Sequence, residues 1–234
     1  MSVVNEKTAW PLRRAKAAQT RRAVIDAASS LFVEQGYAGT SIQEIADVAG
    51  VSRATVFNAV GGKAALLKAA YDVATVGDDE PVPLPQRSDW VAARLEPDPR
   101  RFIALYSGLI ATIGERLAPI YEVFRAAANS DPEVNALWRT IQAERLGGAC
   151  GFVGLLRDKG RLRKDLDESV AGDVVWVLID ASLYHRLVIE RRWTKAQFQS
   201  WLEHTLEAQL LATEPRQARP RRKDPPRPQP DQDS

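Results

Sequence analysis

Apolar positions recur along this chain three and four apart, the spacing of one helix face, and the strict alternation of a half-buried strand is missing. From about Thr20 onward, Val24, Ala28, Leu31, Phe32 and Gln35 share one face of a predicted helix that Gly36 ends. Two overlapping frames, Thr40 to Gln43 and Ser41 to Glu44, read as capping boxes and open a short helix to about Val48. "AGVS" turns the chain, and Ser52 caps a third helix over about 53–59. "VGGK" breaks the pattern before a fourth helix, about 63–75, which carries Leu66, Leu67, Ala70 and Val73. Then the composition changes. "VGDDEPVPLPQR" holds three prolines and three acids, and regular helix does not survive prolines at that spacing.

Beyond this break the helical period returns. The pattern predicts helices over about 99–116 (Phe102, Leu105, Tyr106, Leu109, Ile113) and 119–128. A further one starts with Asp131 as cap and Pro132 at its first position, and stops at Gly160. Another runs over 167–191. A last one, about 195–212, opens on a Thr194–Gln197 capping box and points Phe198, Trp201, Leu202, Leu206 and Leu210 inward. The predicted fold class is all-α. The chain divides into a flexible basic arm (1–18), a short-helix domain (19–77), a Pro- and acid-rich connector (78–98), a long-helix domain (99–213) and a tail (214–234). The tail is Pro, Arg, Gln and Asp without apolar anchors, so burial cannot offset its ordering entropy and it is expected to be disordered.

Composition narrows the function. Among 234 residues, 45% are hydrophobic and 26% charged, which is ordinary for a globular chain. The net charge of +2 is too small to argue for nucleic acid in bulk, so any such reading needs local patches. With one cysteine, Cys150, a disulfide framework within the chain and a Cys-rich zinc site are both excluded. With only two histidines, His185 and His204, composition argues against a His-built metal site, and no cofactor is expected. The N-terminus shows no apolar signal segment, and no apolar run approaches the roughly 20 residues of a membrane helix. These observations set the expectation of a soluble, cytoplasmic protein in a reducing compartment, without a membrane partner.

The stretch "VSRATVFNAVGGKAALLKA" concentrates the candidate chemistry. A phosphate-cradling loop needs G-x-x-x-x-G-K-[ST] after a strand. Counting from Lys63, Phe57 stands where the first glycine belongs and Ala64 where the magnesium hydroxyl belongs. Both defining positions fail. A helix-turn-helix fits better. Ala46 is small where two helices approach, Gly50 suits the turn, and Val56 faces inward. The second helix then exposes Arg53, Thr55 and Asn58, which can read guanine, thymine methyl or phosphate, and adenine respectively. For each of these a solvated surface residue is the plain alternative; their order between flanking helices is what favours the groove. Residues 1–67 hold eight Lys or Arg against five acids, a net of +3, clustered at the arm and the reading helix. An enzyme is not expected: Cys150 lies in the small, apolar "GGACGFVGLL" without a nearby histidine, and His185 has no partner in sequence.

From about Arg21 to Ala69, "AVIDAASSLFVEQGYAGTSIQEIADVAGVSRATVFNAVGGKAALL" resembles the DNA-binding domain of the TetR family of helix-turn-helix transcriptional regulators. The resemblance rests on a first helix ending "LF…GY", then "TS…IA…AGVS", then "TVF", then a lysine opening the fourth helix. It implies a ligand-responsive repressor that binds a palindromic double-stranded DNA operator as a homodimer. It also implies Thr40 on phosphate at the start of the second helix, Ser52, Arg53, Thr55 and Asn58 at the groove, and Lys63 on phosphate at the start of the fourth. The family commonly has tyrosine where Phe57 stands; without a hydroxyl, Phe57 is left to packing or apolar contact. Ala59 replaces a commoner polar or aromatic residue.

In the second half the resemblance implies a four-helix dimer interface from the last two long helices, 167–191 and 195–212. Val174, Val175, Leu178, Ala181, Ser182 and Ile189 line one apolar face, and Phe198, Trp201, Leu202, Thr205, Leu206, Gln209 and Leu210 the other. Some of these must pack within the subunit. A small-molecule effector of unspecified class would sit between the central helices, with Tyr106, Trp138, Trp176 and His185 as polar or aromatic candidates on apolar faces. Each serves equally as a satisfied core residue. An architectural DNA-binding protein on the same scaffold remains the alternative.

Overall fold

The computed structural model describes residues 6–160 and 162–212, residues 6–12 as backbone only. Among the described residues ten α-helices follow one another: α1 Glu6–Gly39, α2 Ile42–Ala49, α3 Arg53–Ala59, α4 Lys63–Val76, α5 Ser88–Leu95, α6 Pro99–Ala127, α7 Pro132–Asp158, α8 Glu168–Leu178, α9 Ala181–Tyr184 and α10 Lys195–Leu210. Among the described residues the only extended pairing is an isolated bridge between Leu162 and Leu211. The all-α expectation holds.

Four local expectations are corrected. α1 begins at Glu6, so the described part of the expected flexible arm is helix despite Pro11. Ala15, Lys16, Ala17, Ala18 and Gln19 are strong helix formers that extend the first helix backward. Residues 1–5 and the tail 214–234 lie outside the described residues. In the connector, a 3-10 turn at Leu84–Gln86 and α5 form where only loop was expected. α5 buries Ala93 and sets Trp90 edge-on to Tyr106 at 5.4 Å, so this segment docks on α6.

α6 runs unbroken through Pro119, where two helices were expected. Leu117, Ala118, Ile120 and Tyr121 around that proline are all buried. Their packing outweighs the roughly 3 kcal/mol that an interior proline costs. As one helix, α6 contains an 18-residue window of mean hydropathy 1.2, long and apolar enough by length and composition to cross a membrane, contrary to the sequence expectation. Its central place explains the apolarity, because 44% of that window is buried within the protein and α6 packs against α1, α4, α5 and α10.

The predicted helix 167–191 is broken. α8 stops at Leu178, Asp180 caps α9 by accepting the Ser182 N–H, and His185–Glu190 is wound as π-helix. Arg192 then takes a left-handed φ of 62°. The short Asp180 side chain competes for backbone N–H and starts a new helix inside an apolar run.

Burial is organised in two clusters. The first joins the inward faces of α1–α4 to Leu117, Tyr121 and Phe124 of α6 and to Val134 and Ile141 of α7. The second joins Phe102, Ile103 and Tyr106 of α6 to Phe152 and Leu156 of α7, Val175 of α8 and Phe198, Leu202, Leu206 and Leu210 of α10. α6 therefore belongs to both. The core of the short-helix half is closed by helices from the long-helix half.

Candidate nucleic-acid interface and regulatory centre

α2 and α3 form the predicted pair. Ser41 caps α2 in a full capping box: its hydroxyl accepts the Glu44 N–H at 3.2 Å, and Glu44 returns to the Ser41 N–H at 2.8 Å. At the other end Gly50 adopts φ 67°, and the N–H groups of Gly50 and Val51 reach the carbonyls of Asp47 and Ala46. This is a Schellman closure, which requires the left-handed residue that glycine supplies cheaply. Ile45, Ala46 and Val56 are fully buried, so α3 is seated on α2 and α1 through small and β-branched contacts.

α3 is fastened at both ends. The Ser52 hydroxyl accepts the Thr55 N–H at 3.1 Å and shares a 2.8 Å hydrogen bond with the Thr55 hydroxyl. At the C-terminus the Arg21 guanidinium donates to the Ala59 carbonyl at 3.0 Å and pairs with Asp79 at 2.9 Å. Arg21 is thus a brace from α1 rather than part of a free basic patch. Arg22 is likewise paired, with Asp26. The outward face of α3 is different. Arg53 and Asn58 are exposed and have no hydrogen-bond or ion-pair partner among the described residues. Phe57 is 49% exposed, so it is not core packing but an apolar knob beside them.

Thr40 is corrected. Its side chain is buried, and its hydroxyl faces the carbonyls of Leu31 at 3.2 Å and Gly36 at 2.9 Å. It ties the end of α1 to the start of α2 instead of facing outward. The exposed hydroxyl at that helix start is Ser41, the N-cap of α2. Of two adjacent hydroxyls the one preceding the cap is turned inward, and the competing frames could have flagged this.

Lys63 opens α4 after Gly62, which offers no side-chain cap. Its ammonium lies 4.4 Å from the centroid of the Tyr37 ring. Burial lowers the Lys63 pKa below its usual value, while the carboxylates of Asp131 and Glu44 act in the opposite direction. The Tyr37 hydroxyl donates to Asp131 at 3.0 Å, and Asp131 also caps α7 by accepting the N–H groups of Glu133 and Val134.

In the long-helix half, the four sequence candidates do not come together. Tyr106 is buried and stacked on Phe152 at 4.0 Å, as core. Trp138 packs on Tyr121 and Phe124, at the seam with the first cluster. The Trp176 ring nitrogen and His185 Nδ1 are buried without a hydrogen-bond partner among the described residues. None of the four lines the small, partly open pocket, about 30 Å³, between α6, α7, α10 and the broken α8–α9 segment. Its apolar wall includes Ile110, Ile113, Leu117, Tyr184 and Phe198, and its polar groups are Arg145 and Asp180.

Those two residues are not among the sequence candidates, and they join Tyr121, Gln142 and Ser182 in one polar cluster. Arg145 pairs with Asp180 at 2.9 Å, with the two side chains only 14% and 23% exposed. Arg145 also donates to the Gln142 side chain at 2.7 Å and to the Trp176 carbonyl at 3.2 Å. The Tyr121 hydroxyl donates to Asp180 at 2.6 Å. Burial pushes the Asp180 carboxyl upward, but Arg145 and the bonds from Ser182 and Tyr121 together hold it below its usual value. One signal was available: an acid inside "VVWVLIDASLY" must find a partner or end the helix, and Asp180 does both.

Comparisons with known proteins agree with this geometry. Residues 24–70 match the tetR family of bacterial regulatory proteins. The chain is 28% identical over 172 residues to the HTH-type transcriptional regulator YdeS of Bacillus subtilis, covering 73% of this chain and 79% of that one. It is 25% identical over 164 residues to the HTH-type transcriptional repressor AcnR of Corynebacterium efficiens, covering 64% and 73%. Among solved structures it resembles NalD, the secondary repressor of the MexAB-OprM multidrug efflux pump in Pseudomonas aeruginosa, with a TM-score of 0.63 at 20% identity over 84% of this chain and 98% of that one. The α2–α3 pair thus lies inside a segment that matches the tetR family of bacterial regulatory proteins, and the chain as a whole is similar to HTH-type transcriptional regulators.

Proposed function

We propose that the protein is a ligand-responsive repressor that binds a palindromic operator as a homodimer. The observation that carries the DNA side is the face of α3: Arg53 and Asn58 exposed and unpaired, Phe57 between them, over a fully buried Val56. Arg53 and Asn58 read base edges, Phe57 meets a thymine methyl, and Ser41, Ser52, Thr55 and Lys63 serve phosphates or flanking bases. Residues 19–77 act as the DNA-binding domain and 99–213 as the regulatory and dimerisation domain, with α5 bracing the connector.

Dimerisation through the last two long helices is supported by surface the subunit leaves uncovered. Val170, Val177 and Ile189 are 48%, 52% and 43% exposed. The inward residues of α10, by contrast, are used within the chain. The effector site we assign is the Arg145–Asp180 cluster with its apolar wall, rather than the four residues chosen from sequence. The pocket holds only about 30 Å³, so binding must move the α8–α9 segment. The protein acts in the cytoplasm, where its operator is.

Selection of bound sequences from random duplex DNA tests this reading. Recovery of an inverted repeat is the expected result. A single asymmetric site would reject the dimeric operator, and enrichment of no sequence at all would favour an architectural role.

A further inference from the structure

The cation assigned above to a DNA phosphate is already engaged in the free protein. Lys63 stands at the start of α4, with its ammonium over the Tyr37 ring at 4.4 Å. That ring's hydroxyl is held by Asp131 at 3.0 Å. Asp131 comes from the regulatory half and is the N-cap of α7. Three elements therefore meet at one point: the end of α1, the start of α4 and the start of α7. The charged groups facing Lys63 are Asp131 and Glu44. Glu44 is engaged with the Ser41 N–H inside the DNA-binding half, whereas Asp131 belongs to the half that carries the effector cluster.

We propose that Asp131 is a regulatory counter-ion for Lys63, through which the regulatory half sets the strength of the phosphate contact at the start of α4. The proposal rests on the reading of Lys63 as a phosphate contact. Two anions, the Asp131 carboxylate and a DNA phosphate, compete for one ammonium, and they also repel one another. The tyrosine between them holds the carboxylate by its hydroxyl and the ammonium by its ring face, so it keeps both in register. α7 gives the competition a link to the effector site. It continues without a break from Pro132 past Arg145, about 20 Å along the axis at 1.5 Å per residue. At Arg145 it is tied to Asp180 on the broken α8–α9 segment. A ligand that disturbs that pair shifts α7, and the cap at its other end moves against Lys63.

The test uses the full chain and a fluorescent duplex of random sequence, because phosphate contacts are sequence-independent. Binding is measured across a salt series for wild type, Asp131→Asn, Lys63→Gln and the double variant. Asparagine caps a helix about as well as aspartate and can still accept from Tyr37, so the fold is preserved; Asp131→Ser, another good cap without charge, serves as a second variant. The expected result is that D131N tightens binding about fivefold at low salt, near the lower end of allosteric couplings. K63Q is expected to weaken binding and reduce the salt slope by about one. In the K63Q background the D131N effect should fall below about twofold. A fivefold gain that persists without Lys63 overturns the proposal, since it would be general surface repulsion. So does an unchanged affinity in both D131N and D131S while K63Q weakens binding. If K63Q itself changes neither affinity nor slope, the phosphate reading of Lys63 fails first and the proposal with it.

Discussion

Removing the carboxylate of Asp180 should destabilise the long-helix half through three losses visible in the structure. The N–H of Ser182 loses its cap, at 2.9 Å, which costs about 1 kcal/mol. The Tyr121 hydroxyl loses its acceptor, about 1 kcal/mol or more in a mostly buried setting. Arg145, 14% exposed, loses its counter-ion and keeps only Gln142, the Trp176 carbonyl and the Tyr121 oxygen. Breaking a buried pair from one side typically costs ~3–5 kcal/mol. The cap and Tyr121 losses are part of that cost rather than additions to it, and the residual exposure of both side chains puts Asp180→Ala at the lower end, about 3 kcal/mol. For a chain of this size that is roughly 6–12 °C in melting temperature. The assay is thermal or urea unfolding of wild type, D180A, Arg145→Ala and the double variant at neutral pH. A coupling between the two sites of at least about 1 kcal/mol is expected. Additivity within about 0.5 kcal/mol would refute the account of the pair as an energetic unit. The pH dependence supplies a second check. The folded-state pKa of Asp180 lies below its unfolded value near 3.8. Its stabilisation is therefore present above the unfolded value and lost as pH falls through the folded one. The difference between wild type and D180A should shrink below about pH 4 and stay constant between pH 5 and 8.

Other predictions are smaller in scope. Arg53→Ala should cost roughly 1–3 kcal/mol on the selected operator and leave the melting temperature unchanged; an operator titration without loss removes Arg53 from base reading. Thr40→Val should lower stability by about 1–2 kcal/mol, because the carbonyls of Leu31 and Gly36 lose a donor, and a variant with native stability but weakened DNA binding would restore the phosphate role. Gly114→Ala places a Cβ 2.6 Å from the Tyr184 ring, so it should destabilise by about 1–3 kcal/mol and distort the cavity wall; a neutral melting curve would show that α9 yields easily. Deleting residues 1–18 should weaken DNA binding and flatten its salt dependence, since Arg13, Arg14 and Lys16 lie on the exposed first turns of α1; an unchanged slope rejects that contribution.

The sequence by itself determined what local rules decide. The periods of α1–α4, the Ser41, Ser52, Asp131 and Thr194 caps, the glycine at position 50 and the inward Val56 all depend on neighbours within one or two turns, and each appears as read. These same rules set the outward register of Arg53 and Asn58, so the face of the reading helix was legible too. Tertiary packing decided the rest. Pro119 is a helix breaker by propensity, but burial on both sides of it carries α6 through. Thr40 and Ser41 are equivalent hydroxyls in sequence, and only the fold of α1 onto α2 turns one inward to two carbonyls. Arg21 looks like a free base until Asp79 and Ala59, far along the chain, claim it. The Arg145–Asp180 pair was the least visible, because the two residues sit 35 positions apart on different elements and meet only in the fold. A helix cap is a contact between near neighbours. A charge pair across helices exists only once the helices are packed, and no period along the chain announces it.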